Sequence, residues 1–292
     1  MFSYIRNKTF ATLIRYRTGA VASSTDSHQD EVLQVPSRDP SRTIKVNVYQ
    51  STNGSKPTPV LINMHGSGFV IPNHGSDDAF CQRMQKDAGV TVLDADYRKA
   101  PEHPFPAAPD DVEDVVKYVL SRPEEYDVRR VSISGFSAGA NLALSASGVT
   151  FPPGTFHSVL AFYPPTDIHR DRYAPESKAP GGKGSIPAWV STSFNDCYAP
   201  SPLDRKMPKM SPLYAEGERF PDRTLIVTCA RDELCNEGEE LAEKIRVAKA
   251  GERVVQRRVP FGHAWDKRPK TGSEGERARY EVYGLAAEML KA

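Results

Sequence analysis

Short apolar, β-branched runs alternate along the chain with stretches patterned as helices. The runs occupy 31–35, 43–49 (Thr-Ile-Lys-Val-Asn-Val-Tyr), 59–64 (Pro-Val-Leu-Ile-Asn-Met), 90–94, 129–134, 158–163, 224–229 and 253–259, and each reads as a strand. Between them, 75–88, 109–121, 137–147, 237–250 and 273–290 read as helices. That alternation predicts an α/β fold, a mostly parallel eight-stranded sheet with helices on both faces. Residues 164–222 break the rhythm with Pro164-Pro165, Pro180-Gly181-Gly182 and a short helix signal from Pro187 to Cys197. A long irregular insertion in a compact domain is usually a lid or a binding loop, so this one is expected to cover the substrate.

Composition narrows the class. A chain of 292 residues with 39% hydrophobic content can bury one large core, which favours a single domain over 1–292 with insertions. Lysine and arginine total 38 against 37 acids, a net charge of +1 that suggests no nucleic-acid partner. Cys81, Cys197, Cys229 and Cys235 form no C-x-x-C pair, so reduced thiols in a cytoplasmic setting are expected. No apolar stretch approaches the roughly 20 residues a spanning helix needs, so stable membrane insertion is not expected. Residues 1–25 carry Arg6, Lys8, Arg15 and Arg17 with no acid. They fit either a helix packing Ile5, Phe10, Leu13 and Ile14 on the body or an organellar import segment.

The candidate chemistry lies at predicted strand ends. Gly135-Phe136-Ser137-Ala138-Gly139 follows a strand and opens a helix, the context in which G-x-S-x-G is a nucleophile elbow. Gly135, Ala138 and Gly139 are small because the turn is crowded, and the turn exposes the Ser137 hydroxyl at a helix N-terminus. His65-Gly66-Ser67-Gly68-Phe69 follows the strand 59–64 and is similar to an H-G-G-G oxyanion loop with serine at its middle glycine. The backbone N–H groups of Ser67, Gly68 and Ala138 are therefore the expected oxyanion hole.

The α/β-hydrolase order is Ser, then Asp or Glu, then His. His263, in Pro260-Phe261-Gly262-His263-Ala264-Trp265, follows the last predicted strand and is the only histidine after Asp232. Asp232 stands three residues past the strand ending at Cys229, with Glu233 and Asp222 as competitors for the same role. Ser137 is thus the candidate nucleophile, His263 the base and Asp232 the residue that orients it. Gly181-Gly182-Lys183-Gly184-Ser185 lacks G-x-x-x-x-G-K-[ST] and reads as a flexible lid loop. With no H-E-x-x-H and no G-x-G-x-x-G, neither a metal nor a nicotinamide cofactor is implied.

Three blocks, His65-Gly66-Ser67-Gly68, DADYRKAPEHPFPAAPDD over 94–111 and Gly135 to Gly139, together resemble the hormone-sensitive-lipase-like branch of α/β-hydrolase serine esterases. With Asp232-Glu233-Leu234 and His263 the likeness spans roughly 59–265. It implies a helical cap contributed by about 1–40 and 164–222, a small-molecule ester with a short or medium acyl chain as substrate, and Asp232 over its competitors. In the 94–111 block, Tyr97, Arg98 and Glu102 are expected to tie down a turn. The chain departs from the pattern at Ser67, usually glycine, and at Phe136, often aspartate. Candidates to line the substrate pocket are Phe69 and Phe136 in the motifs and Trp189, Phe194, Tyr198 and Tyr214 in the insertion. The alternative is a non-catalytic small-molecule receptor or a lyase on the same fold. An edge strand or a terminal helix could pair two copies into a homodimer.

Overall fold

The computed structural model describes residues 2–22, 28–54, 56–250 and 253–291. Positions 23–25 of the basic N-terminal segment, and 1 and 23–27 of the expected cap segment 1–40, lie outside the described residues.

The strands are β1 (Glu31–Pro36), β2 (Thr43–Tyr49), β3 (Thr58–Met64), β4 (Thr91–Ala95), β5 (Tyr126–Phe136), β6 (Ser158–Phe162), β7 (Arg223–Arg231) and β8 (Val254–Gly262). They form one sheet in the order β1-β2-β4-β3-β5-β6-β7-β8. Only the β1/β2 and β2/β4 pairs are antiparallel. The apolar runs behave as their patterning requires. The side chains of β3 alternate: Val60, Ile62 and Met64 enter one core, and Leu61 enters the other. Each fully buried aliphatic side chain of this kind is worth about 1.5–3 kcal/mol.

The helices are α1 (Phe2–Ala22), α2 (Asp78–Ala88), α3 (Ala107–Leu120), α4 (Ala138–Ser145), α5 (Ala188–Tyr198), α6 (Cys235–Ala248) and α7 (Glu274–Lys291). Residues from α3, α4 and α6, such as Val115, Leu144 and Leu241, pack into one core; Phe80 and Met84 of α2 and Val282 and Ala286 of α7 pack into the other. Helix α2 begins three residues later than the pattern predicts: Gly75 has a φ of 88°, outside the helical region, and Asp77 takes the N-cap position with φ −101° and ψ 10°. Helix α4 ends early and passes into a single π-helical turn, Ala146–Thr150.

The segment expected to form the N-terminal part of the cap divides. Helix α1 packs on α5, with the Phe10 ring edge-on to Phe194 at 5.3 Å and to Trp189 at 6.4 Å. Residues 31–36 instead pair with β2 as the edge strand of the sheet, so they belong to the sheet and not to a cover. Arg15 of α1 donates to both Glu102 carboxylate oxygens at 2.7 and 2.8 Å, and Lys8 pairs with the same carboxylate. Arg98 grips the buried Asp111 of α3, to which Arg42 also donates. Arg98 thus holds the turn to α3, while the bonds of the Glu102 carboxylate run to α1. All four cysteines are unpaired and buried. Among the described residues, no helix is long and apolar enough to cross a membrane.

Candidate active site

Ser137 sits between β5 and α4 with φ 52° and ψ −120°, a conformation that costs a non-glycine residue about 1–3 kcal/mol. The glycines around it make room for the bend. A Cβ on Gly135 would lie 2.3 Å from the backbone of Gly139, and a Cβ on Gly139 would lie 2.0 Å from the Met64 carbonyl oxygen. Gly66 is less crowded, its would-be Cβ lying 3.2 Å from the Phe136 carbonyl oxygen.

Loops leaving the carboxyl ends of three parallel strands bring the separated candidates together. The His263 Nε2 lies 2.8 Å from Ser137 Oγ, and its Nδ1 lies 2.6 Å from Asp232 Oδ2. An ionised carboxylate only accepts, so Nδ1 carries the proton and Nε2 is left to accept from the serine hydroxyl. Asp232 is fully buried and takes a further hydrogen bond from the Leu234 N–H at 3.2 Å. Burial alone would push the His263 pKa down. The Asp232 charge and hydrogen bond, followed by the Glu233 and Asp266 charges, outweigh it, and the net shift is upward from 6.5. Of the two competitors, Glu233 accepts from Ser191 Oγ, and Asp222 pairs with Lys249 at 2.9 Å on the surface.

The second motif turns across the elbow. Gly68 and Phe69 have φ of 55° and 63°, consecutive left-handed residues. Among the described residues, the N–H groups of Ser67, Gly68 and Ala138 donate to nothing. His65 is buried beneath them, bonded to Asp96 at 3.2 Å and stacked on Tyr97 at 4.7 Å. Burial, with the Lys99 charge, pushes its pKa down to about 4, which keeps its ring neutral.

A cavity of about 400 Å³ opens over Ser137 and His263, walled by Gly68, Phe69, Ile71, Ala138, Ile186, Phe194 and Leu234. Two of the six aromatic candidates, Phe69 and Phe194, line it. The other four are corrections. Phe136 points to the opposite face of the sheet, stacked on Phe162 at 4.4 Å and edge-on to Phe80. Tyr198 lies behind Phe69, stacked on its ring at 3.7 Å and shielded by it from the cavity. Trp189 is 58% exposed on α5: five residues from Phe194, it projects from a different side of the helix. Tyr214 lies outside the cavity and points its hydroxyl at Asp167 Oδ2, 3.3 Å away.

The structure also adds residues that no catalytic motif flagged. The Tyr163 ring packs against the His263 ring at 4.7 Å, and its hydroxyl donates to Asp266 at 2.7 Å. Asp266 accepts from the Tyr283 hydroxyl as well, and Lys267 lies 3.3 Å from the same carboxylate. Ser185 Oγ accepts the His263 backbone N–H at 2.7 Å. The Gly181–Ser185 segment expected to be a loose lid loop is fastened to the end of β7, Gly181 N–H to the Ala230 carbonyl and Ser185 N–H to the Arg231 carbonyl. Chain separations of 78 and 103 residues hid the Ser185 and Asp266 contacts from sequence reasoning.

A sequence family described as alpha/beta hydrolase fold matches residues 61–265. Over 214 residues the chain is 30% identical to the carboxylic ester hydrolase LipN of Mycobacterium tuberculosis, covering 67% of this chain and 54% of that protein. It is 31% identical to an ethyl acetate hydrolase of Pseudomonas putida, covering 64% of this chain and 60% of the relative. The chain therefore spans less than two thirds of the length of these relatives. Among solved structures, a hyperthermophilic esterase from Pyrobaculum calidifontis superposes with a TM-score of 0.78 at 25% identity, covering 100% of this chain and 91% of that one.

Proposed function

We infer that this chain, which belongs to the α/β-hydrolase fold family, is a carboxylic ester hydrolase working through an acyl-enzyme on small esters of short to medium acyl chain. The observation that carries the reading is the unbroken line Ser137 Oγ, His263, Asp232, with contacts of 2.8 and 2.6 Å opening on a cavity. In this mechanism Ser137 Oγ bonds to the ester carbonyl carbon while its proton passes to His263 Nε2. The carbonyl π pair moves onto oxygen, where the N–H groups of Ser67, Gly68 and Ala138 stabilise the new charge. Collapse breaks the bond to the alkoxy oxygen, which leaves as the alcohol after taking the proton from Nε2. Water then repeats the two steps on the acyl-serine, releasing the acid and restoring Ser137.

Asp232 keeps the proton on Nδ1 and stabilises the imidazolium that forms in each step. A cavity of about 400 Å³ stands at the small end of the range for small-molecule sites, which suits a compact acyl chain. The test is a panel of p-nitrophenyl esters of increasing chain length, with Ser137→Ala beside the parent. Turnover of the shorter esters is expected, with kcat lowered by on the order of 10⁶ in the variant. Equal activity in Ser137→Ala would remove the serine from the mechanism, and tight small-molecule binding without turnover of any ester would favour a receptor.

A further inference from the structure

The hydroxyl of Ser67 stands where the resembling family usually has only hydrogen, and it is not idle. Ser67 Oγ accepts the Phe69 N–H at 2.8 Å and lies 2.7 Å from the Tyr97 hydroxyl. The Tyr97 hydroxyl donates its single proton to the His65 carbonyl at 2.7 Å. The order of donors is then fixed: Phe69 N–H to Ser67 Oγ, Ser67 O–H to Tyr97 Oη, Tyr97 O–H to the His65 carbonyl. This buried chain closes a ring across the turn that carries Gly68.

The turn needs holding. Phe69, with a bulky side chain, has a φ of 63°, and Gly68 before it has a φ of 55°. A serine hydroxyl bonding to the N–H two residues on is a local turn-forming contact that a glycine cannot supply. A second clamp closes the far side, where the Phe69 carbonyl accepts the Ala100 N–H at 2.8 Å. The Phe69 N–H is taken by Ser67, and among the described residues the Gly68 N–H, in the cavity wall beside Ser137, has no protein partner.

We propose that the side chain of Ser67 is a positioning residue that, through Tyr97, holds the Gly68 N–H aimed at the developing oxyanion. This proposal rests on the esterase reading and adds to it a role for a side chain whose own hydrogen bonds run to Phe69 and Tyr97. Its consequence is specific. Loss of the hydroxyl degrades transition-state stabilisation while leaving the walls that bind the ester in place, so kcat falls and KM does not follow.

The test uses the full chain with p-nitrophenyl butyrate and compares Ser67→Ala, Tyr97→Phe and the double variant, with melting temperatures measured alongside. Removing a whole oxyanion donor typically costs 10²–10³ in kcat, so loosening one is expected to cost roughly 10- to 100-fold, with KM within about twofold. The double variant should be no slower than the slower single, because both changes cut the same chain. Ser67→Ala with kcat within about twofold of the parent, kcat and KM changing together, or losses that multiply in the double variant would each overturn the proposal. Should Tyr97→Phe fail to fold, the kcat and KM of Ser67→Ala decide alone. A parent chain inactive on every ester would instead refute the esterase reading itself.

Discussion

Lys267→Met removes a cation that pairs with two buried carboxylates, and the cost can be worked from the contacts. The Lys267 ammonium lies 2.7 Å from Asp77 Oδ1, 3.3 Å from Asp266 Oδ2 and 3.1 Å above the centre of the Phe136 ring. The side chains of Asp77 and Asp266 are 0% and 1% exposed. Methionine keeps the packing against Phe136 but leaves two negative charges in a poorly solvated site. Each carboxylate retains some partners: Asp77 keeps the Asn63 amide at 3.0 Å, and Asp266 keeps the hydroxyls of Tyr163 and Tyr283. Breaking a buried pair by removing one member typically costs about 3–5 kcal/mol. At roughly 2 °C per kcal/mol for a chain of this size, the melting temperature should drop by roughly 6–10 °C at pH 8. Thermal melts followed by circular dichroism at pH 8 check the cost. A loss below about 2 °C would refute the reasoning.

Two further outcomes concern catalysis. Phe194 lies over Gly68, so that a Cβ on the glycine would fall 2.9 Å from the ring, and it also lines the cavity. Phe194→Ala should therefore raise the octanoate-to-acetate ratio of kcat/KM by about 10-fold or more, the discrimination a few methylenes allow; an unchanged chain-length profile counts against Phe194 as a wall of the pocket. The working form of His263 is neutral, and its pKa is raised: burial opposes the shift, and the Asp232 charge and hydrogen bond overcome it. The acid limb of the kcat/KM profile should accordingly have its midpoint above 6.5, a higher pH than an unperturbed histidine would give. A midpoint at or below 6.5 in a pH–rate profile contradicts the electrostatic reading.

What could be read from the sequence, and what could not, divides by the range of the physical cause. The strands were legible because burial on both faces of a central strand demands an unbroken apolar run, as in β3 and β6. The elbow was legible because the bend at Ser137 needs small neighbours at fixed positions, and the contacts of Gly135 and Gly139 supply the reason. The expected placement of Ser137, Asp232 and His263 at the carboxyl ends of strands corresponds to where β5, β7 and β8 leave the sheet. The pocket wall was much less legible. Which of Trp189 and Phe194 faces inward depends on the rotation of α5 against α1, and nothing local to α5 sets that rotation.

The strained backbone shows why the holding groups stayed hidden. Among the described residues, five other than glycine have positive φ: Phe69, Ser137, Tyr163, Ala250 and Ala264. All but Ala250 line the cavity over Ser137. Each such residue costs about 1–3 kcal/mol and persists only where its surroundings over-determine it. For Phe69 the restraints are Ser67 Oγ and the Ala100 N–H; for Tyr163 they are the Asp266 carboxylate and a backbone bond to the Val227 carbonyl at 2.6 Å. The Ala264 turn follows His263, whose own N–H is held by Ser185. A one-letter code can announce a bend where glycine is obligatory. It is silent where a bulky residue is bent by partners up to 103 positions away, and at this site much of the holding is done by such partners.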